Sequence, residues 1–295
     1  MNFETRMRQV PGTDDVYQVD GWMWNEPGNV AVYIFDTPQA AVVDTGTAEM
    51  TPKAVSHALD TLGIGKDDLA HIVPTHVHLD HAGGAGTIAH QYAAATVHCH
   101  HRGIDFLTDP GLLGRLQESV EAAIGEPAPY GVPERVPPNR ASPLADGDTI
   151  DLGDRSVSIV EAPGHAPHQV CVFDSSTGAL CTADAAGMWF ADRLYPTTPP
   201  PSFDLSDSLV TIERLSDLEP AVNCYPHFGT ANNATAKIRE FADLLPEWVS
   251  AVETAAEKAS TTEEIYDRVR PEWESMGFEA DVRGILQYLD RIEES

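Results

Sequence analysis

The sequence is poor in lysine, in paired cysteines and in long apolar runs, and each shortage removes a class of protein. Only Lys53, Lys66, Lys237 and Lys258 are lysines, and 18 basic residues face 46 acidic ones, a formal charge of −28. The acids are spread over the whole chain and no basic stripe exists, which disfavours nucleic acid as a partner. Such a charge repels itself at low ionic strength but is screened within a few ångströms in molar salt. The economical expectation is adaptation to a high-salt cytoplasm, as in halophilic archaea. No run of ~18 apolar residues exists to span a membrane, and Met1-Asn-Phe-Glu-Thr-Arg-Met-Arg8 is not an apolar signal segment. The chain therefore reads as soluble and cytoplasmic, with no membrane partner. Cys99, Cys171, Cys181 and Cys224 are far apart, form no Cys-x-x-Cys pair and lie mostly in apolar runs. Reduced core thiols are expected, with no disulfide framework.

Histidine is what the sequence concentrates. In His71-Ile-Val-Pro-Thr-His76-Val-His78-Leu-Asp80-His81-Ala-Gly83-Gly84, ligand-type side chains fall at 76, 78, 80 and 81, after an apolar run and before a helix start at Ala82. Two histidines at i and i+2, where a strand ends and the chain turns, can aim both imidazoles at one point, and neutral imidazole suits zinc, iron or nickel. His76 and His78 thus read as a pair on one ion. Asp80 and His81 follow at the turn into the helix, where the helix dipole favours a carboxylate, and could serve a neighbouring ion. Gly83 and Gly84 let the backbone approach closely.

His-x-His-x-Asp-His followed by Ala-Gly-Gly resembles the signature of the metallo-β-lactamase superfamily. The resemblance implies an α/β fold, a four-layer αββα sandwich, and directs attention to three later motifs. Ala162-Pro-Gly-His165 resembles the turn whose histidine completes the first ion's set. Thr182-Ala183-Asp184 resembles the pair whose aspartate bridges both ions, with alanine where glycine is usual. Tyr225-Pro-His227-Phe-Gly229 resembles the motif whose histidine serves the second ion. By this resemblance His76, His78 and His165 hold one divalent ion and Asp80, His81 and His227 the other, with Asp184 shared; zinc is the first expectation, iron or manganese the alternatives. Two such charges lower the pKa of a water between them from ~16 to near neutrality and polarise the substrate oxygen. Asp80 is the expected proton carrier to the leaving group.

The implied activity is that of a dinuclear metallohydrolase acting on a small-molecule ester, thioester, lactone or lactam, closest to glyoxalase II-type and lactonase-like members. A phosphodiesterase or ribonuclease of the same fold is an alternative, weakened by sparse arginine and lysine near the motifs. An iron-dependent oxidoreductase like a persulfide dioxygenase is another. Such enzymes commonly use one ion, whereas Asp80, His81 and His227 are all present here.

Strands are predicted over Val16–Val19, Val30–Phe35 and Ala40–Val43, with an apolar hairpin tip at Gly21-Trp22-Met23-Trp24. In the resemblance that tip overhangs the metals, so Trp22 and Trp24 either line the substrate pocket or pack on the sheet. Helices are predicted over 51–62, 82–93 and 103–125, and the proline-rich stretch 126–143 reads as an irregular connection. Thr96-Val-His98-Cys99-His100-His101 carries the residue types of a further metal site. On a strand, however, His98 and His100 share one face and Cys99 the other, and the resemblance makes this segment simply the next strand. A second sheet is expected from Thr149–Leu152, Ser156–Glu161, Gln169–Phe173 and Ala179–Thr182. His168 is displaced by one residue from the histidine of many relatives, and its role stays open between supporting the ligands, contacting substrate and packing a turn. The aromatic, proline-rich stretch 187–201, with Trp189, is expected to wall the substrate side. Residues 1–234 are expected to form the catalytic domain. Residues 235–295 read as a helical appendage, similar to extensions of glyoxalase II-like hydrolases, that shapes the pocket or builds a homodimer.

Overall fold

Short β-branched runs punctuated by turn residues build the first half, and the computed structural model describes residues 6–294. Seven strands lie in chain order across one sheet: β1 (Met7–Gln9), β2 (Val16–Asp20), β3 (Ala31–Phe35), β4 (Ala40–Val43), β5 (Leu69–Val73), β6 (Thr96–His100) and β7 (Ala141–Leu144). Pairing is antiparallel up to β4 and parallel from β4 to β7. Parallel neighbours need crossovers. These are α1 (Thr51–Leu62), α2 (Leu79–Ala82) with α3 (Ala85–Gln91), and α4 (Ile104–Thr108) with α5 (Pro110–Ile124). The second sheet takes β8 (Thr149–Asp151), β9 (Ser156–Glu161), β10 (Val170–Asp174) and β11 (Ala179–Cys181). A hairpin of β12 (Met188–Phe190) and β13 (Arg193–Tyr195) follows, and β14 (Val222–Tyr225) and β15 (Gly229–Asn232) complete that sheet in the order β15-β14-β11-β10-β9-β8.

Side-chain alternation then fixes the layers. Inward residues of both sheets, among them Val16, Tyr33, Phe35, Val157, Val172 and Cys224, form one core between them. The Tyr33 hydroxyl donates across that core to the Tyr225 carbonyl at 2.7 Å. Val42, Ile72 and Val97 on the outer face of the first sheet pack against Val55 and Leu59 of α1 and Ile88 of α3. Cys171 and Leu180 on the outer face of the second pack under α6 (Leu205–Asp217), α7 (Ala234–Ala256), α8 (Thr262–Trp273) and α9 (Phe278–Glu293). The αββα sandwich is therefore present. The helices after residue 234 share a core with the second sheet. Pro246 sits inside α7, a change that costs about 3 kcal/mol in a helix interior. Full burial of Leu245, Trp248 and Val252 around it contributes roughly 1.5–3 kcal/mol each and keeps the helix continuous.

Several predicted elements are divided or replaced. The helix expected over 82–93 breaks at Gly83-Gly84, where a Cβ on Gly83 would lie 2.3 Å from the Leu79 carbonyl oxygen. The helix expected over 103–125 restarts at Pro110, capped by Asp109, whose carboxylate accepts from Gly111 N–H and Leu112 N–H. The connection expected over 126–143 ends in β7, which contains Pro143 and tolerates its missing N–H because β7 is the sheet edge. The aromatic, proline-rich stretch 187–201 holds the β12–β13 hairpin, turned by Ala191 and Asp192 with φ of 48° and 62°. All four cysteines are free and buried, and no described helix is long and apolar enough to cross a membrane.

Candidate metal centre

Each candidate ligand stands at the end of a regular element, where the chain turns and a side chain can be aimed. His76 and His78 follow β5, Asp80 and His81 lie in α2, His165 lies between β9 and β10, Asp184 follows β11, and His227 turns β14 into β15. The fold brings all seven together in two groups: ligand atoms of His76, His78, His165 and Asp184 lie within 4.8 Å of one another, and so do those of Asp80, His81 and His227. Asp184 joins the groups, its Oδ2 lying 3.2 Å from His165 Nε2 and 3.2 Å from His81 Nε2. Its Oδ1 is buried, accepts no hydrogen bond and lies 3.9 Å from His227 Nε2.

Hydrogen bonds on the far sides of the rings decide which nitrogen faces inward. His165 Nδ1–H donates to the Thr197 carbonyl at 3.0 Å, and His227 Nδ1–H to the Asn29 carbonyl at 2.8 Å. His81 Nδ1–H donates to Asp44 Oδ2 at 3.0 Å. The Thr75 hydroxyl gives its one hydrogen to Asp44 Oδ1 at 2.8 Å, so at 3.1 Å it accepts from His76 Nδ1–H. His76, His81, His165 and His227 therefore turn Nε2 into the cluster, where His78 Nδ1 joins them. They face one another closely: His76 Nε2 and His165 Nε2 are 3.0 and 3.1 Å from His78 Nδ1, and His81 Nε2 is 3.2 Å from His227 Nε2. Two lone pairs at such distances repel unless a proton or a metal cation lies between them. Converging imidazoles plus a carboxylate with an unused buried oxygen fit divalent metal ions.

The charge states agree. Burial, reinforced by His165, pushes His78 down to about 3, and burial lowers His76 and His165 as well, leaving them in the neutral form that binds metal. Burial would lower His81 and His227 and raise Asp80 and Asp184, but the attraction between them wins: His81 and His227 shift up, both carboxylates are held ionised, and a divalent ion would take the place of those protons.

A profile of the Metallo-beta-lactamase superfamily matches residues 25–227, which contain every one of these ligands. The chain belongs to the metallo-beta-lactamase superfamily. It is 29% identical over 165 residues to the metallo-beta-lactamase fold-containing protein ST1585 of Sulfurisphaera tokodaii, covering 55% of this chain and 62% of that protein. The solved structure of ST1585 superposes with a TM-score of 0.70 at 22% identity, over 95% of this chain and 98% of that one. A hydroxyacylglutathione hydrolase of Rhodobacter capsulatus is 26% identical over 225 residues, 76% of this chain and 66% of that protein. These two sequence alignments span less than two thirds of the relatives' own lengths. The human acyl-coenzyme A thioesterase MBLAC2 is 28% identical over 225 residues, 68% of this chain and 74% of that protein.

Around this superfamily centre the structure redistributes the other residues singled out in the sequence. A cavity of about 240 Å³ opens from His78, Asp80, Asp184 and His227, and Trp24 lines it. Trp22, Trp189 and His168 lie elsewhere. Trp22 packs on the helix-side core with the Arg6 guanidinium 4.6 Å above its ring. Trp189 stacks on Tyr225 at 6.1 Å with Lys237 over it. His168 lies behind the ligands, its ring 6.3 Å from that of His76 and 6.1 Å from that of His78, and burial lowers it to about 4. Its placement favours packing against the ligands over touching substrate. In β6, His98 and His100 do share a face while Cys99 joins the opposite core. His98 pairs with His71 at 3.0 Å instead. His100 is complete without an ion, accepting at Nδ1 from Arg102 N–H and donating from Nε2 to Glu161 at 2.8 Å.

Sequence reading missed Asp44, which orients His81 and, through Thr75, His76; its signal was the buried-strand ending Val43-Asp44-Thr45-Gly46. It also missed Asp281 of α9, which lines the cavity and accepts from Thr198 N–H. Burial pushes the Asp281 carboxyl well above 3.8, against the Thr198 hydrogen bond that favours the charged form. The folded chain thus holds this proton more tightly than the unfolded one, and its contribution to stability declines as pH rises above about 3.8. Asp281→Asn keeps an acceptor for Thr198 and carries no charge. The unfolding temperature of the variant should therefore exceed the parent's at neutral pH, with the gap closing toward pH ~4. Parallel curves over that range would show that Asp281 titrates as an ordinary carboxyl.

Proposed function

We propose that the chain is a metal-dependent hydrolase of an acyl bond, in an ester, thioester or lactone. One observation carries this reading: a single buried carboxylate, Asp184, joins two groups of inward-facing imidazole lone pairs, the arrangement that suits two divalent ions rather than one. His76, His78, His165 and Asp184 would hold the first and Asp80, His81, His227 and Asp184 the second, with zinc the first candidate by ligand type. Divalent ions held there supply Lewis acidity toward a carbonyl oxygen and lower the pKa of water from ~16 toward neutrality.

The chain's own residues supply the rest. Asp44, Thr75, Thr197 and Asn29 fix the tautomers and ring orientations of the four Nε2 ligands. Asp80 is kept ionised, and its side chain, 21% exposed, is the most accessible carboxylate of the centre. In this reading it holds the proton released from water and passes it to the leaving group. Among the described residues no lysine or arginine lines the cavity, which counts against a phosphodiester substrate. The hydrolase names of the Rhodobacter and human relatives support the same class.

We read the chain's acidity as adaptation to molar salt in a cytoplasm, so assays belong in molar KCl. Protein purified there should carry close to two ions per chain and hydrolyse at least one of a panel of esters, thioesters and lactones; turnover of bis-p-nitrophenyl phosphate alone would overturn the acyl reading. Chelation should abolish that turnover and added zinc restore it. A single iron with persulfide-dependent oxygen uptake would sink the hydrolase reading.

A further inference from the structure

The cavity has a chemistry of its own beyond the metal cluster. One wall is α5, whose Leu116 and Val120 stand one turn apart with Ile124 a turn further, all on the same face. The opposite wall is the start of α9 and the residue pair before it, where Met276 and Gly277 are followed by Ala280. Among the described residues, its ionisable lining groups besides the ligand histidines and Tyr130 are the carboxyls of Asp80, Asp184 and Asp281. At the mouth, Trp24 is 46% and Ile124 40% exposed, two large apolar side chains left in water on one rim, as a binding surface would leave them.

That wall is fixed in place. A Cβ on Gly284 would lie 1.7 Å from the Thr198 carbonyl oxygen, so α9 touches the 197–201 segment backbone to backbone. Arg283 Nη2 donates to the Ala123 carbonyl of α5 at 3.2 Å, and Arg291 Nη1 to the Pro201 carbonyl at 2.7 Å. The channel is thus held between three segments, one of them drawn from the C-terminal helices.

We propose that this cavity is an acyl-chain channel: it takes the apolar chain of an ester or thioester between α5 and α9, with the carbonyl at the cluster. Among the described residues no lysine or arginine lines the cavity to pair with the anionic groups of a glutathione or coenzyme A leaving group, which stay outside the channel. The proposal rests on the hydrolase reading for its reaction. Water's oxygen bonds to the carbonyl carbon, the C–S or C–O bond breaks, and the thiol or alcohol leaves with a proton from water while the acyl group departs as the carboxylic acid.

The test is an acyl series, acetyl through decanoyl, on one neutral thiol, N-acetylcysteamine, with the metal-loaded protein. Specificity should climb by up to about four-fold for each methylene that leaves water, then level off when the channel is full. Calorimetric titration with the free carboxylates, acetate through decanoate, reads the channel without turnover and should show the same order. Ala280→Phe should cut the decanoyl-to-acetyl ratio at least about tenfold; Val120→Phe on the facing helix makes the same test should the first variant fail to fold. Hydrolysis with no dependence on chain length, or unchanged ratios in the folded variants, overturns the channel and leaves the hydrolase standing. Chain-length-dependent carboxylate binding without hydrolysis of any thioester does the reverse.

Discussion

His76→Ala combined with His78→Ala leaves a folded protein whose hydrolysis falls to the rate without enzyme. These two imidazoles contribute two of the five inward nitrogens, and at 3.0 Å their ligand atoms are the closest pair in the cluster. Without them His165 and Asp184 are left as the only members of the first group, too few to hold a divalent ion in a four-coordinate site. The fold survives because neither ring carries the architecture. His76 gives up one hydrogen bond to Thr75, while Thr75 keeps both of its bonds to Asp44. The emptied volume costs roughly 2–5 kcal/mol by analogy with other large-to-alanine changes, offset in metal-free protein by the removal of facing lone pairs. Metal analysis should show the loss of at least one ion per chain, and circular dichroism should be unchanged. Turnover persisting in the folded double variant would place the reaction elsewhere in the molecule.

The ligand histidines were legible because their spacing, not their environment, carries the information. Two residues apart after a strand is enough to pair His76 with His78, and the resemblance to the superfamily then points to His165, Asp184 and His227. What surrounds them was less legible, for a physical reason: a loop's composition does not state which way it folds back. Trp22 and Trp189 lie in aromatic segments near the centre, yet the local backbone turns both away from the cavity. At Trp22 the turn has φ of 56°, a left-handed conformation that nothing in Gly21-Trp22-Met23-Trp24 announces.

Asp281 failed differently. In α9 it shares a face with Phe278, Val282 and Ile285, all buried, so a carboxylate on the apolar stripe of an amphipathic helix was a readable signal. It acquires meaning only when the helix packs beside Thr198, more than eighty residues away in sequence. Pro143 and the Ala191-Asp192 turn show the converse. Composition argued against strands there, and edge position and paired left-handed residues allowed them.

Arg155→Met should cost about 3–5 kcal/mol, the largest stability loss expected from any single charged residue here. Arg155 binds Asp15 through both terminal nitrogens, at 2.7 and 2.8 Å, and Asp174 through Nε at 2.8 Å. Asp15 precedes β2 of the first sheet, while Arg155 and Asp174 belong to the second, so one guanidinium ties the two sheets at an open end of the sandwich. The side chain of Asp174 is fully buried. Removing the arginine leaves that buried carboxylate with hydrogen bonds from Ser176 and Thr177 but no opposite charge, rather than a lost surface contact. Lys237–Glu240, closer at 2.6 Å but exposed on the glutamate side, should cost at most ~0.5 kcal/mol when broken. Salt separates the two further. Molar KCl screens the exposed pair and leaves the buried one nearly untouched, so the Arg155→Met deficit should persist across salt concentrations. Adding Asp174→Asn should recover part of it, because the buried charge is then gone as well. Denaturant unfolding of the two single variants and the double variant measures all of this. A loss below about 1 kcal/mol for Arg155→Met, or no recovery in the double variant, would mean that the guanidinium does not hold the sheets together.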